Sequence, residues 1–223
     1  MVIRQRAIQA EAKQERHHAI LDAAERLLSR SKDRMANVAE VADEAGLAKG
    51  TVYLYFPSKE ELLLAVHERN IDGFFRELIA RLEGNPAVTI DDILALTHRH
   101  LVEPPLFLPL AARCFGMMGQ GIPTDVVLAF KQRMAQRLQR AGAGLGRHFP
   151  DLTGEDGVRL LRHSYALIIG LWQMSGDSAG GGCVVELAAE NPVVFGWRYP
   201  DELDRAMRAL WEGTVGRPSS IAK

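Results

Sequence analysis

The sequence predicts an all-α protein: an N-terminal three-helix helix-turn-helix domain followed by a larger C-terminal helical bundle. Three observations point there. Apolar residues recur at i, i+3 and i+4 through most of the chain, strand-like alternation is scarce, and Pro and Gly clusters punctuate the periodic stretches.

In chain order, residues 14–30 place Ile20, Ala23, Ala24, Leu27 and Leu28 on one face of an amphipathic helix. Residues 37–45 and 47–54 read as two short helices around Gly46. Asn37 can cap the first of them, with Glu40 three residues on completing a capping box. Pro57-Ser58 breaks the chain, and Ser58 caps one long helix over 59–82 that Gly84-Asn85-Pro86 ends. Thr89 caps a helix that stops near Pro104-Pro105, and a shorter apolar helix follows at 106–118. Pro123 opens another, with the glycines of 142–146 read as its terminator. Helices at 156–175 and 201–214 complete the set. A glycine-rich loop follows Ser175, the segment 184–199 has no clear assignment, and the tail after Gly216 reads as disordered. The expected division is a helix-turn-helix domain at 1–57, a helical sensing and dimerisation domain at 58–216, and the tail at 217–223.

A chain of 223 residues can bury a sizeable core. Its two cysteines, Cys114 and Cys183, can make neither a disulfide framework nor a full zinc site, which suits a reducing, cytoplasmic setting. The charged N-terminus lacks a signal-peptide core. The longest apolar run, 165–172, falls far short of the roughly 20 residues that span a bilayer, so a soluble protein without membrane association is expected. Net charge is −1, and residues 1–66 hold ten Lys and Arg against ten Asp and Glu. If this region binds nucleic acid, it does so by placing charge and not by bulk charge. Arg4, Arg6, Lys13 and Arg16 against Glu11 and Glu15 make the first sixteen residues a mildly basic arm.

Two short helices crossing at a tight turn make position-specific demands. Ala42 supplies the small residue where they touch, and Gly46 supplies positive φ at the turn. Val38, Val41, Ala45, Leu47, Val52 and Tyr55 fall at core-facing spacing. The second helix would then enter a major groove. Lys49 can bond a guanine edge or a phosphate, and Thr51 a phosphate or a thymine methyl. Gly50 lets the backbone approach, and the hydroxyls of Tyr53 and Tyr55 suit phosphate oxygens. Tyr55 fits the core equally well.

The run EAGLAKGTVYLYFPSKEELL at 44–63 resembles the DNA-binding signature of the TetR family of repressors, a match extending over 20–64. The resemblance implies a ligand-responsive regulator, not an enzyme. Such a protein binds a palindromic double-stranded operator as a homodimer, with Lys59 clamping a phosphate and the long helix linking sensor to head. Three positions depart from the family pattern. Ala48 stands where a capping serine is common, and Asn37 where a threonine is, although Asn37 can both cap and touch phosphate. Leu54 replaces a polar or aromatic residue, and either meets a thymine methyl or is buried.

The resemblance also implies a dimer surface on the last two long helices. Leu160, Ser164, Leu167, Ile168 and Leu171 form one candidate stripe, and Leu203, Met207, Leu210 and Trp211 the other; both stripes suit an intramolecular core as well. A small-molecule pocket would draw on Phe107, Phe115, Met117, Met118, Phe130, Met134, Trp172 and Met174 as soft lining. His98, His100, Arg113, His163 and Gln173 are its candidate polar anchors. No cofactor or metal is expected. HExxH, CxxC, GxSxG and phosphate-loop motifs are missing, and Gly142, Gly144 and Gly146 follow a helix, unlike a dinucleotide cradle. Cys114 is a weak nucleophile candidate. The alternatives are a helical enzyme or a helical interaction protein without DNA affinity.

Overall fold

The computed structural model describes residues 2–30, 37–119, 121–175 and 190–216, with the backbone alone for 2–9 and Phe195. Its elements are α1 (Val2–Arg30), α2 (Val38–Glu44), α3 (Lys49–Tyr55), α4 (Lys59–Glu83), α5 (Ile90–Thr97), a π-helical turn (His98–Val102), α6 (Phe107–Met117), α7 (Thr124–His148), α8 (Gly154–Met174), α9 (Pro192–Phe195) and α10 (Tyr199–Val215). No strand occurs among the described residues, so the all-α architecture stands as expected. The loop over 176–183, the segment 184–189 and the tail 217–223 lie outside the described residues.

Several boundaries differ from expectation for physical reasons. α1 starts well before residue 14, because residues 2–19 are dominated by Ala, Gln, Glu, Arg and Lys, strong helix formers with no Gly or Pro among them. α5 passes at Thr97 into the π-helical turn before Pro104. α7 does not stop among the glycines of 142–146 but runs on to His148. Its glycines mark close approach instead of termination. A Cβ on Gly142 would lie 2.7 Å from the Gly154 carbonyl oxygen and from Val158, and one on Gly144 would lie 2.8 Å from Leu82 Cβ. Gly157 of α8 answers Gly142 from the other side, its own Cβ position being 2.7 Å from the Gly142 oxygen. The intrinsic helix cost of glycine, about 1 kcal/mol each, is offset by backbones that pack against one another directly.

The chain divides into two compact units, Met1–Arg69 with Arg113–Val127, and Asn70–Ala112 with Leu128–Lys223. The first therefore extends past the expected limit at residue 57 and takes in the end of α6. Its interior holds Ile20, Ala23, Ala24 and Leu28 of α1, Val38, Val41 and Ala42 of α2, Val52, Phe56, and Leu62, Leu63, Leu64 and Val66 of α4. His67 is buried there too, at 2% exposure, and burial pushes its imidazole down from 6.5 to about 4.

The second unit packs around Phe74, Phe75, Leu78, Leu82, Ile93, Leu101, Phe107, Leu145 and Trp211. His148, at the end of α7, closes one side. Its Nδ1 accepts from the Val88 amide at 3.3 Å, and its Nε2–H donates to the Leu82 carbonyl at 2.9 Å, satisfying an acceptor left open at the C-terminus of α4. α8 and α10 are stitched together by polar groups inside the core. The Trp211 indole donates to Ser164 Oγ at 3.0 Å, Ser164 donates to the Leu160 carbonyl at 2.8 Å, and the Tyr199 hydroxyl donates to the Ile168 carbonyl at 2.9 Å.

These bonds correct the expected dimer surface. Leu160, Ser164, Ile168, Leu203, Met207 and Trp211 are all buried within the protomer, and Leu167, Leu171 and Leu210 are half-buried against the same core. The two apolar stripes face each other across the α8–α10 contact, the nearest apolar surface available to each. The outward sides of these helices instead carry Ala166, Gly170, Ala209 and Gly213, and a Cβ on either glycine would meet nothing within 4 Å.

Two stability measurements follow. Gly157→Ala should destabilise the protein by about 1–3 kcal/mol, as overpacking against the Gly142 backbone does, and calorimetry should show a Tm lowered by several degrees; an unchanged Tm would contradict the close approach. For His67, burial favours the neutral ring, so its contribution is complete above pH 6.5 and is lost as pH falls from 6.5 towards about 4. The loss reaches on the order of 3 kcal/mol by the lower end. Urea midpoints compared between wild type and His67→Gln should converge over that window, and parallel curves would rule this contribution out.

Candidate nucleic-acid interface

α2 and α3 meet as the local chemistry requires. Asn37 Oδ1 accepts from the Glu40 amide at 3.0 Å, and the Asn37 amide donates to Glu40 Oε2 at 2.9 Å, forming the expected capping box. Gly46 adopts φ +66°, the left-handed turn that favours glycine, and the Leu47 amide closes back onto the Ala42 carbonyl at 2.9 Å. Ala42 is buried at the crossing. Of the six expected core positions, Val38, Val41 and Val52 are buried, while Ala45, Leu47 and Tyr55 are half-buried.

α3 has a single buried residue, Val52. At about 100° per residue, Gly50 and Leu54 fall on the side opposite it. Lys49 and Tyr53 lie on one flank, with the Lys49 Nζ 5.8 Å from the Tyr53 ring centre in a cation–π contact. Thr51 and Tyr55 lie on the other flank, both half-buried. Tyr53 is 41% exposed and Leu54 83% exposed, which removes the burial alternative for Leu54. The helix carries no acidic residue. Ala48 precedes it in extended conformation with no side-chain cap, as its identity implies. Ser58 does cap α4: its Oγ accepts from the Glu61 amide at 3.1 Å, and Lys59 opens that helix half-buried. Asn37 is exposed, with its side-chain oxygen engaged in the cap.

Charge in this unit is sorted, which the totals conceal. Glu44 accepts from Arg26 at 2.8 Å and Arg30 at 3.1 Å, and the Arg26 hydrogen bond holds its carboxyl below the usual range. Arg69 reaches Asp22 at 2.6 Å and Glu25 at 3.0 Å. The Asn37 capping box engages Glu40, and Glu61 accepts from the Ser58 hydroxyl at 3.1 Å. Five carboxylates, Asp22, Glu25, Glu40, Glu44 and Glu61, are thus held by arginines of α1 and α4 or at helix starts, while Lys49 is the only charged residue of α3. Sequence reasoning missed His17, whose ring packs 5.0 Å from Phe56 and 6.4 Å from Tyr55, and whose imidazole burial pushes down. The signal was its position on the α1 face one turn before Ile20 and Leu21.

The other candidates resolve differently. Phe107 is fully buried, its ring 6.5 Å from Tyr165, and Phe130 is buried too. Met134 and Trp172 are half-buried against the same core, and Met117 and Met118 are half-buried in the first unit. Arg113, Phe115, His163, Gln173 and Met174 are exposed, so the expectation that they line an interior is corrected: on α6 and α8 they lie off the buried stripe. His98 approaches Asp204 at 3.9 Å, and His100 bonds Glu77 at 2.6 Å, so the two rings serve different elements. Cys114 is buried and its thiol is pushed up to about 12, which keeps it protonated and removes it as a nucleophile. Among the described residues, no helix is long and apolar enough to cross a membrane.

An all-helical chain with a capped helix-turn-helix and an outward, acid-free second helix defines a class, the helix-turn-helix DNA-binding transcriptional regulators. The chain belongs to the tetR family of bacterial regulatory proteins, whose model matches residues 20–66, while the tetracyclin repressor-like C-terminal domain matches residues 68–218. It is similar to the transcriptional repressor KstR of Mycolicibacterium smegmatis, 28% identical over 116 residues, covering 51% of this chain and 57% of that one. It is similar also to the regulator AcrR of Shigella flexneri, 33% identical over 92 residues (40% and 42% of the two chains), and to the fatty acid metabolism regulator protein of Bacillus subtilis, 30% identical over 66 residues (30% and 34%). The chain thus spans 34–57% of the length of these curated relatives. A crystal structure of a TetR transcriptional regulator from Rhodococcus sp. RHA1 shares the fold, with TM-score 0.55 and 22% identity over 89% of this chain and 97% of that one.

The uncapped start of α3 generates a prediction. Ala48→Ser should place a hydroxyl where the helix amides are open and stabilise the protein by about 0.5–1 kcal/mol. A thermal melt should register a small rise in Tm, and a fall would show that the site does not accept a cap.

Proposed function

We propose that this protein is a one-component repressor that binds a palindromic operator as a homodimer and releases it when a small molecule occupies its larger domain. The observation that carries the reading is the exposed face of α3, free of acid and ringed by Lys49, Thr51 and Tyr53. In this reading Lys49 and Thr51 meet bases or phosphates, and Tyr53, Tyr55, Asn37 and Lys59 hold the backbone. The N-terminus of α4 adds its open amides beside Lys59. Gly50 lets the helix sit deep. The word repressor in the name of the Mycolicibacterium relative supports repression over activation.

Homodimerisation would use the outward sides of α8 and α10, where Ala166, Gly170, Ala209 and Gly213 permit close helix approach. That replaces the buried stripes as the candidate surface. The effector would be received in the second unit, among the half-buried Met134, Leu138, Tyr165 and Trp172 that border its core. α4 is one continuous helix from Lys59 to Glu83, a physical connection along which such binding can act on the head. Family membership argues against the alternative of a helical interaction protein, and a cytoplasmic location follows from the same reading.

Selection from a random duplex pool at moderate salt should enrich a palindrome. Against that duplex, Lys59→Ala should weaken binding to every sequence alike and lower the salt slope by about one per protomer. Failure to enrich any palindrome would overturn the reading.

A further inference from the structure

We propose that Leu54 is a base-reading residue that recognises the 5-methyl group of a thymine at the floor of the major groove in each half-site. The inference rests on the DNA-binding reading above and specifies how sequence is read there.

α3 is two turns long, and the side opposite its buried Val52 consists of Gly50 and Leu54. That side enters a groove deepest. Gly50 contributes no side chain, and a Cβ placed on it would meet nothing within 4 Å. Leu54 is therefore the only side chain at the centre of the docking face, and 83% of it is exposed. The hydrogen-bonding side chains stand to either side: Lys49 is drawn over the Tyr53 ring on one flank, and Thr51 and Tyr55 lie on the other. The centre of the face is apolar and its rim is polar.

Among the groups a B-DNA major groove presents, the thymine methyl is the one that projects apolar surface beyond the ring edge; the other projecting groups are hydrogen-bond donors and acceptors. A leucine pressed against a guanine O6, an adenine N6 or a cytosine N4 would leave that group without a partner, which is costly once water is excluded. Opposite a thymine methyl, both surfaces leave water together. The same isobutyl group thus attracts thymine and rejects the other bases. Its exposure has a physical use only when a complementary apolar group is brought to it.

The test replaces single thymines by deoxyuridine in the duplex selected by wild type, a change that removes the methyl and nothing else. One thymine per half-site should show about a three- to fivefold loss of affinity, the worth of one buried methyl. Leu54→Ala, which removes the contact from both half-sites at once, should bind the unmodified duplex about ten- to twenty-five-fold more weakly and become indifferent to deoxyuridine at that position, with Tm unchanged because the residue is exposed. Leu54→Met, which keeps an apolar tip, should retain the sensitivity. If no thymine responds, or if the response persists undiminished in Leu54→Ala, the inference is overturned while DNA binding stands. If wild type selects no duplex at all, the DNA-binding reading falls and takes this inference with it. An apolar surface of another protein as the true occupant would appear as deoxyuridine indifference in wild type.

Discussion

A seven-residue helix has no stability of its own in water, because nucleating the first turn is unfavourable and two turns recover too few hydrogen bonds. α3 exists because Val52 is anchored in the first unit and because Gly46 turns the chain so that it can be. The face α3 presents follows from that one contact. With Val52 inward, helical geometry obliges Gly50 and Leu54 to point outward and sets Lys49, Thr51, Tyr53 and Tyr55 on the flanks. Rotation by one residue would bury Thr51 or Tyr53 and turn the display away. Phe56 and His17 hold the C-terminal end in the same way, ring against ring.

Electrostatics supplements this anchor without any excess of charge. Equal numbers of acids and bases in the head are compatible with nucleic-acid binding because they are not equally available. Glu44 is held by Arg26 and Arg30, and Asp22 and Glu25 by Arg69. Exposed pairs of this kind add little stability. Their effect here is on the field: arginines offset these three carboxylates on the supporting helices, and α3 itself carries a lysine and hydroxyls.

The second unit is organised by a different constraint, the distance between backbones. Gly142 and Gly157 let α7 and α8 touch with no side chain between them, and Gly144 receives Leu82 of α4. Given that approach, α8 turns its apolar stripe towards α10, and the Ser164–Trp211 and Tyr199–Ile168 bonds satisfy the polar groups buried with it. Most residues that read as intersubunit contacts are consequently interior, and the outward sides of both helices carry small residues, Ala166, Gly170, Ala209 and Gly213, among exposed polar ones such as Arg162 and Arg205.

Much of this was legible in the residues themselves. The all-α class, the Asn37–Glu40 box, the Gly46 turn, the Ser58 cap and the missing cap at Ala48 are local matters, decided within three or four positions by hydrogen-bond reach and allowed φ. The family signature at 44–63 is local too. What the chain alone left open concerned partners far apart in sequence. An apolar stripe on α8 has the same spacing whether it meets α10 or a second subunit, a glycine run has the same composition whether it ends a helix or admits one, and Leu54 is the same leucine buried or exposed. Periodicity states that a face must be covered and never by what. Only the packed structure, in which Trp211 meets Ser164 and Val52 takes the interior side of α3, decided those three cases.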